Sequence, residues 1–292
     1  MDETEWLAER FEQHRPRLRA VAYRMLGSLT EAEDAVQDAW LRLSQSNADQ
    51  IGNLGGWLTT VVARECLHVL RSRRRRREDS FRAHLPDPVI TPDGDLDPEQ
   101  EALLADSVGL ALLVVLDHLT PAERLAFVLH DMFELPFEEI APIVGRTPTA
   151  ARQLASRARR RVKGAEVPAP DPDLTRQRQV VDAFFAAARA GDFDALAQVL
   201  DPDIVLRADL GAGRAPAVFR GVPAVAKLAR APRGAQLHPV LVNGTVGTVV
   251  TLDGQPFSVM AFTVVNGKIV EIDGIRDPDR VGRIAAAVLT EQ

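Results

Sequence analysis

Residues 120–163 read TPAERLAFVLHDMFELPFEEIAPIVGRTPTAARQLASRARRRVK, and this stretch decides the fold of the N-terminal half of the chain. Residues 120–123 have the Thr, Pro and returning Glu of a capped helix start. A second short helix is predicted over about 136–144, with Gly145 ending it, and a third over 147–163. Two helices joined by a short Gly-containing turn, the second rich in Arg, are typical of a DNA-reading helix-turn-helix.

The third predicted helix has two chemically different faces. Its apolar face consists of Ala151, Leu154, Ala155, Ala158 and Val162. The opposite face suits base edges and phosphates, because Arg pairs with guanine, Gln with adenine, and Ser or Thr with either. The candidate DNA-binding residues are Thr149, Arg152, Gln153, Ser156, Arg157 and Arg160. A solvated basic helix on any globular protein has a similar pattern, so the surroundings of the motif have to decide.

Composition indicates a soluble protein of two or three domains in a reducing compartment. The chain has 292 residues, 46% of them hydrophobic, a net charge of −6 and one cysteine, Cys66, which we expect to be buried. Positive charge concentrates in 71–77 and 152–163. The acidic start does not resemble a signal peptide, and the longest apolar run, 108–116, is too short to span a bilayer. We therefore expect a cytoplasmic protein with no membrane association.

The first 80 residues are predicted to be helical. Residues 30–33 form a second apparent capping box, followed by EAEDAVQDAWLRL over 31–43. In that helix Ala32, Ala35, Val36, Ala39, Trp40 and Leu43 are predicted to face inward, and Glu31, Glu33, Asp34, Gln37 and Asp38 outward. A Gly-containing loop over 47–56 leads to a helix over 57–70 and then six arginines within 71–77. Phosphate contact is the expected use of these arginines, and a solvated or targeting run is the alternative.

The order of these parts resembles the sigma-70 family. The acidic helix, the Gly-containing loop and the Trp-led helix ending in Arg are similar to region 2 of that family, and 120–162 is similar to region 4. Nothing between them resembles region 1 or region 3. That pattern is typical of the extracytoplasmic-function sigma factors, and the resemblance covers residues 5–163.

The resemblance implies roles for individual residues. The acidic helix would bind a coiled coil of the RNA polymerase clamp, through Asp34, Asp38, Trp40 and Leu41. The following loop and helix would capture a base flipped from the −10 element, with Asn53, Trp57, Arg64 and His68 as candidates. Arg71, Arg73 and Arg74 are further candidates for binding the −10 DNA. A place in the core is the favoured alternative for Trp57. The third helix of region 4 would read the −35 element through the six residues named above.

Two Pro-rich segments divide the chain into domains. We predict region 2 over 1–80, a Pro- and Asp-rich linker over 81–105, region 4 over 106–164, and a second linker over 165–173. Within the first linker, Leu85, Pro86, Asp87 and Pro88 resemble the Leu-Pro-x-Pro motif of sigma factors that carry a fused C-terminal domain. Docking of that motif on the domain is the expected use.

Residues 174–292 have the pattern of a different fold. Helices are predicted over 174–190, ended by Gly191, and from Asp192 to about residue 200, followed by a strand over 203–210. Three two-residue turns, at 243–244, 253–254 and 266–267, divide 236–273 into four antiparallel strands. Helices against a curved sheet make an α+β cone, which resembles a SnoaL-like domain. The fold class expected is therefore multidomain: two all-α DNA-binding domains followed by an α+β cone.

Two stretches of the cone resemble motifs of the same subgroup. Asp209, Gly211, Gly213 and Arg214 stand where the subgroup has an Asp, glycines and a Lys, with Leu210 and Ala212 at two of the glycine positions. The second stretch resembles an Asn-Pro-Asp-Lys motif, and consists of Arg276, Asp277, Pro278, Asp279 and Arg280. Its Asp277 and Arg280 depart from that motif. Both stretches are expected at the mouth of the sheet, where the linker could dock.

Catalysis by the cone is not favoured by its residues. His238 is its one histidine, and Asp209, Glu271 and Asp273 are candidate acids without a suggestive spacing. No metal-ligand pattern and no phosphate-binding Gly-rich loop occurs. We expect no catalytic residues, no metal and no cofactor.

The sequence therefore predicts an RNA polymerase sigma factor tuned in cis by a SnoaL-like domain. Its expected partners are core polymerase and promoter DNA, and the cone leaves room for a small ligand. One alternative is a one-component transcription factor in which the cone senses a ligand. A less favoured alternative is a SnoaL-like cyclase or isomerase with a DNA-binding appendage.

Overall fold

The computed structural model describes residues 3–46, 51–79, 85–92, 109–165, 167–211, 216–229, 232 and 234–289. The chain forms two compact units. The helical unit contains residues 1–80 and 113–166, and the sheet unit contains 81–112 and 167–292. The described part of the first predicted linker, 85–92, is thus packed with the C-terminal domain.

Three helices form the first half of the helical unit: α1 Glu3–Leu26, α2 Leu29–Ser44 and α3 Leu54–Asp79. The predicted capping box at 30–33 is wrong, since the Ser28 hydroxyl accepts from Glu31 N and starts α2. Helix α3 begins three residues earlier than predicted, because Asn53 Oδ1 accepts from Gly56 N at 3.0 Å. Cys66 is fully buried, as predicted, and burial raises the pKa of its thiol.

The second half of the helical unit contains α4 Leu110–Asp117 from Leu113 onward, α5 Pro121–Phe127, a π-helical turn Val128–Met132, α6 Phe137–Val144 and α7 Pro148–Gly164. The three predicted boundary features are confirmed. Thr120 and Glu123 form a capping box at the start of α5. Gly145, with φ 68°, ends α6, and the Thr147 hydroxyl accepts from Ala150 N at the start of α7.

The buried side chain of Arg124 joins the two halves of the helical unit. It lies on α5, and its Nε donates to the carbonyl oxygen of Arg24 on α1 at 3.0 Å. Its Nη1 lies 3.1 Å from Asp117 Oδ1. Burial lowers the pKa of Arg124 to about 10, against the opposing charge of Asp117, so the guanidinium remains charged at neutral pH. Two predicted DNA-binding halves are therefore packed in one unit.

In its described residues, the sheet unit has a seven-stranded mixed sheet with helices. Its elements, in chain order, are β1 Ile90–Pro92, α8 Leu174–Ala190, α9 Phe193–Val199, β2 Leu200–Asp209, β3 Ala217–Arg220, α10 Val222–Leu228, β4 Ala235–Val242, β5 Thr245–Leu252, β6 Gln255–Val265, β7 Lys268–Ile275 and α11 Pro278–Leu289. The strand order is β1-β4-β5-β6-β7-β2-β3. The linker thus contributes an edge strand to the sheet.

The predicted meander and its three turns are confirmed. Strands β4 to β7 pair antiparallel in sequence order, and both residues of each turn have positive φ, as type I′ turns require. Strand β2 starts earlier than the predicted 203–210 and pairs parallel with β7. The sequence did not predict β1, β3, α10 or α11, because β1 and β3 are too short for a clear alternation.

The main core of the sheet unit lies between the sheet and helices α8, α9 and α10. Phe184, Phe185 and Phe262 pack edge to face there, with ring centroids 5.3–5.7 Å apart. Helix α11 contacts β6 and β1. Within the described ranges no helix is long and apolar enough to cross a membrane, and no cluster of His, Cys, Asp or Glu could hold a metal ion.

Candidate nucleic-acid interface and linker-binding site

The predicted DNA-binding residues of α7 all lie on its exposed face. Ala151, Ala155 and Ala158 are fully buried, which brings the helix close to its neighbours. The exposed set is Thr149, Arg152, Gln153, Ser156, Arg157 and Arg160. The Arg152 guanidinium also lies 5.1 Å from the ring centroid of Phe137. The helix therefore offers a continuous polar and cationic face.

Two further arginines of α7 serve the fold instead. Arg161 Nη1 lies 2.6 Å from Glu123 Oε2, and Arg159 pairs with Asp131. By contrast, Arg152, Arg157 and Arg160 have no ion pair within the described ranges. The sequence alone could not separate these two groups, since their partners lie on other helices.

Five of the −10 candidates are exposed, and Trp57 and Arg73 are partly buried. Arg64, His68 and Arg71 are exposed on α3 and line a pocket of about 390 Å³ together with Arg75 and Ile143. Asn53 and Arg74 are also exposed, and Trp57 is half-buried. Arg73 departs from the prediction. Its Nη1 donates to Leu26 O at 2.9 Å and its guanidinium pairs with Glu31, so this side chain stabilises the helical unit.

The acidic face of α2 is narrower than predicted. Glu31 pairs with Arg73, and Glu33 pairs with Arg19 at 2.8 Å. Asp34 and Asp38 are exposed, and Leu41 is 47% exposed. Trp40 is half-buried, with its ring 5.2 Å from that of Phe11. What α2 offers a partner is thus a small patch with two carboxylates and one apolar side chain.

A cluster of four residues, here called the linker clamp, holds the linker on the sheet unit. It consists of Leu85, Asp87, Asp209 and Arg280. Leu85 N donates to Asp209 Oδ2 at 2.9 Å. Arg280 donates to Asp87 Oδ1 at 2.5 Å, to Asp209 Oδ2 at 2.6 Å and to Leu85 O at 2.6 Å. Pro86 and Pro88 are buried beside it. One arginine therefore bridges the linker and the end of β2.

The motif around the clamp has a shape that needs glycine. Gly211 N donates to Asp209 Oδ1 at 3.0 Å, and Gly211 has φ 65°. A Cβ at this position would overlap the carboxylate of Asp277. Asp277 Oδ1 accepts from Arg280 N at 2.9 Å, and so starts the helix that carries Arg280. Gly213 and Arg214 lie outside the described residues.

The remaining members of the second motif have other positions. Pro278 is the first residue of α11, and Asp279 is exposed in its first turn. Arg276 is exposed and its guanidinium lies over the ring of Phe257. Neither Asp279 nor Arg276 contacts the linker through a side-chain hydrogen bond within the described ranges.

Asn243 provides a second attachment of the linker, which the sequence did not predict. Val89 N donates to Asn243 Oδ1 at 2.7 Å, and Asn243 N donates to Val89 O at 2.9 Å. Strand β1 then pairs with β4 from Ile90 onward. The sequence showed Asn243 only as a turn residue, and nothing local indicated its partner 154 residues away.

The comparisons with known proteins agree with this architecture. The models "Sigma-70 region 2" and "Sigma-70, region 4" match residues 10–76 and 109–162. The ECF RNA polymerase sigma factor SigJ of Mycobacterium tuberculosis is 38% identical over 92% of this chain and 91% of its own. This chain belongs to the extracytoplasmic-function sigma factors. The probable sigma factor SigI of the same species is 34% identical, with 94% of each chain covered.

A crystal structure of M. tuberculosis SigJ matches this sigma factor over both units. Its TM-score is 0.72 at 35% identity, with 94% of this chain and 97% of that chain covered. The family, the two sigma regions and the α+β C-terminal domain predicted from the sequence are thereby confirmed.

The two other candidate acids of the sheet in this sigma factor, Glu271 and Asp273, pair with one arginine. Arg207 Nε lies 2.6 Å from Asp273 Oδ1, and its Nη2 lies 2.8 Å from Glu271 Oε2. His238 Nε2 lies 2.9 Å from Thr251 Oγ1. The candidate acids and the histidine thus have structural partners.

The pKa of Asp209, one of the two carboxyl groups in the linker clamp, is lowered from its usual value. Burial alone would raise the pKa of Asp209, but donation by Gly211 N and Leu85 N and the charge of Arg280 hold this pKa below its usual value. The contribution of ionised Asp209 to stability is therefore full above its unfolded pKa of about 3.9. It is lost as the pH falls through the lower, folded value.

We expect the effect of Asp209→Asn to depend on pH in that way. The difference in free energy of unfolding between wild type and variant should stay constant from about pH 8 to 5 and shrink below roughly pH 4. Denaturant titrations followed by circular dichroism at several pH values would measure it. A difference that already shrinks near pH 6 would contradict the ionic state assigned to Asp209.

Proposed function

We propose that this sigma factor reads the −35 element with α7, reads the −10 element with the exposed row of α3, and binds core polymerase with α2. The exposed face of α7 carries the proposal furthest. Its three unpaired arginines are directed to solvent while Arg159 and Arg161 are bound within the unit. Cations without an internal ion pair are available for phosphates and guanine edges.

The row on α3 is the proposed −10 contact. Arg64, His68 and Arg71 are all exposed at one pocket, and half-buried Trp57 offers an apolar surface one turn or more before them. A base that leaves the stack needs polar edges and an apolar wall. On α2, Asp34, Asp38 and Leu41 are the proposed polymerase contact. We propose that the protein acts in the cytoplasm, because it would act together with RNA polymerase.

Regulation in cis is the proposed role of the sheet unit. The linker joins region 2 to region 4, so its free length sets how far apart these regions can bind on a promoter. Docking fixes the eight residues 85–92 on the sheet unit. Once released and extended, these residues could lengthen the connection between the two regions by roughly 26 Å. A docked linker therefore restricts the spacing of the two DNA-binding regions, and its release favours the polymerase-bound arrangement.

Binding, rather than turnover, is the proposed chemistry of the cone. Its cavity is lined by apolar side chains, Ser258 and Arg276. The described lining contains no Asp, Glu, His, Lys, Tyr or Cys that could act as a general acid or base. The SnoaL-like fold hosts enzymes elsewhere, but function depends on the site.

In-vitro transcription with bacterial core polymerase on a genomic promoter library tests the proposal. We expect discrete start sites that need both polymerase and this chain, and that weaken steeply between low and high salt. A truncated chain that ends at residue 166 should show altered output from the same promoters. Equal output from both chains would reject regulation in cis. Tight duplex binding by the chain alone, with no polymerase-dependent start, would instead support the one-component regulator.

A further inference from the structure

The core side of the sheet unit contains a cavity of about 240 Å³. Its walls include the rings of Phe184, Phe185, Phe219 and Phe257. Sites for drug-sized ligands occupy roughly 300–1,000 Å³, so this cavity suits a smaller molecule. Its apolar walls would bury the apolar body of such a molecule.

Two polar side chains at this cavity have no ion pair and no side-chain hydrogen bond in the described part of the chain. Ser258 is only 5% exposed, lines the cavity, and its hydroxyl makes no hydrogen bond there. The Arg276 guanidinium has neither an ion pair nor a side-chain hydrogen bond, and lies 4.4 Å from the ring centroid of Phe257. Val259 of β6 and Ile275 of β7 are register partners. Ser258 directly precedes Val259, and Arg276 directly follows Ile275. A cation and a buried hydroxyl thus line the same cavity.

We infer that the cavity binds a small carboxylate with an aromatic or short aliphatic body. A guanidinium donates two parallel hydrogen bonds to a carboxylate, and the Ser258 hydroxyl would provide a further donor. The apolar walls would surround the body, and the lack of an acid or base leaves the ligand unchanged. A neutral ligand of the same shape would leave Arg276 unpaired.

The same residues connect the cavity to the linker clamp. Arg276 N donates to Asp209 O at 2.8 Å, and Asp277 beside it starts the helix that carries Arg280. Ala208 and Leu210, on either side of Asp209, line the cavity. Because these contacts are shared, an anion at Arg276 alters the docking of the linker, and linker release alters ligand affinity by the same factor. This regulatory part rests on the proposed role of the sheet unit.

Isothermal titration of the full-length chain with octanoate and with phenylacetate tests the inference. We expect saturable binding of at least one carboxylate, and at least tenfold weaker binding of octanamide, because charge-assisted hydrogen bonds are stronger than neutral ones. Arg276→Gln should weaken binding at least tenfold and Ser258→Ala by a smaller factor. Arg283→Gln, on the exposed face of α11, should bind as the wild type does. Circular dichroism of each variant checks that it is folded.

Three results would overturn the inference. They are no carboxylate binding at millimolar concentration, equal binding by Arg276→Gln, or equal affinity for octanamide. Transcription with and without the bound carboxylate separates the inference from the function on which it rests. Binding that leaves transcription unchanged would reject only the coupling, provided that undocking the linker by mutation still changes output. If undocking has no effect either, regulation in cis is rejected while the binding site stands.

Discussion

Arg280→Met should release the linker from the sheet unit. Arg280 donates to Leu85 O, Asp87 and Asp209, and the Asp209 side chain is fully buried. Removing one partner of a buried ion pair leaves a charge without compensation, at a cost of about 3 kcal/mol. A loss of that size opens the docked state about 100-fold more often. Methionine keeps the aliphatic length of the side chain, so the change isolates the donors.

Hydrogen exchange followed by mass spectrometry would measure this release. We expect amides of 85–92 to exchange about 100-fold faster in Arg280→Met, with exchange in the helical unit unchanged. Arg283→Met is the matched control, since it removes an exposed arginine from the same helix. On promoters, release should raise output because the linker regains its reach. Unchanged exchange in 85–92 would show that the clamp does not hold the linker.

The double variant Arg152→Ala and Arg157→Ala should lose recognition of the −35 element. Contacts of this type to a base edge contribute roughly 1–3 kcal/mol each, so we expect holoenzyme affinity for an intact promoter to fall on the order of 100-fold. Folding should suffer little, because both side chains are exposed. The stacking of Arg152 on Phe137 contributes at most about 1 kcal/mol.

Arg161→Ala on the same helix is the control with the opposite expectation. Its guanidinium lies 2.6 Å from the buried Glu123, so its loss should lower the melting temperature and leave promoter affinity nearly unchanged. Holoenzyme binding to promoters with an intact and a scrambled −35 element, beside thermal unfolding, measures both effects. The assignment of α7 fails if the double variant still discriminates between the two promoters, or if Arg161→Ala alone abolishes discrimination.

The features that the sequence predicted are fixed by neighbouring residues. Thr120 and Glu123 form their capping box over three residues. Each two-residue turn of the meander is likewise determined by its own two residues, because Asn-Gly and Asp-Gly accept positive φ at both positions. In the same way the small and polar faces of α7 follow from helical periodicity alone.

The features that the sequence did not predict depend on residues far away along the chain. Strand β1 is three residues long, ends in Pro92, and forms only because β4 offers an edge 150 residues later. The Leu-Pro-x-Pro resemblance predicted a docking segment, but not that Arg280 would bind it from 195 residues away. Likewise Arg73 resembled its neighbours in the arginine run, and only the position of α1 and α2 turned it inward.

The pairing of β1 with β4 has a consequence for the solubility of the protein. Ile90, Thr91 and Pro92 cover the outer edge of β4, and the proline provides a residue without an N–H at that border. If the linker is released, the backbone N–H and C=O groups along the outer edge of β4 lose their partners. They can then pair with another extended chain, including the same edge of a second copy. We therefore expect aggregation to increase when the linker is released, because the docked linker covers the edge at which two copies could pair.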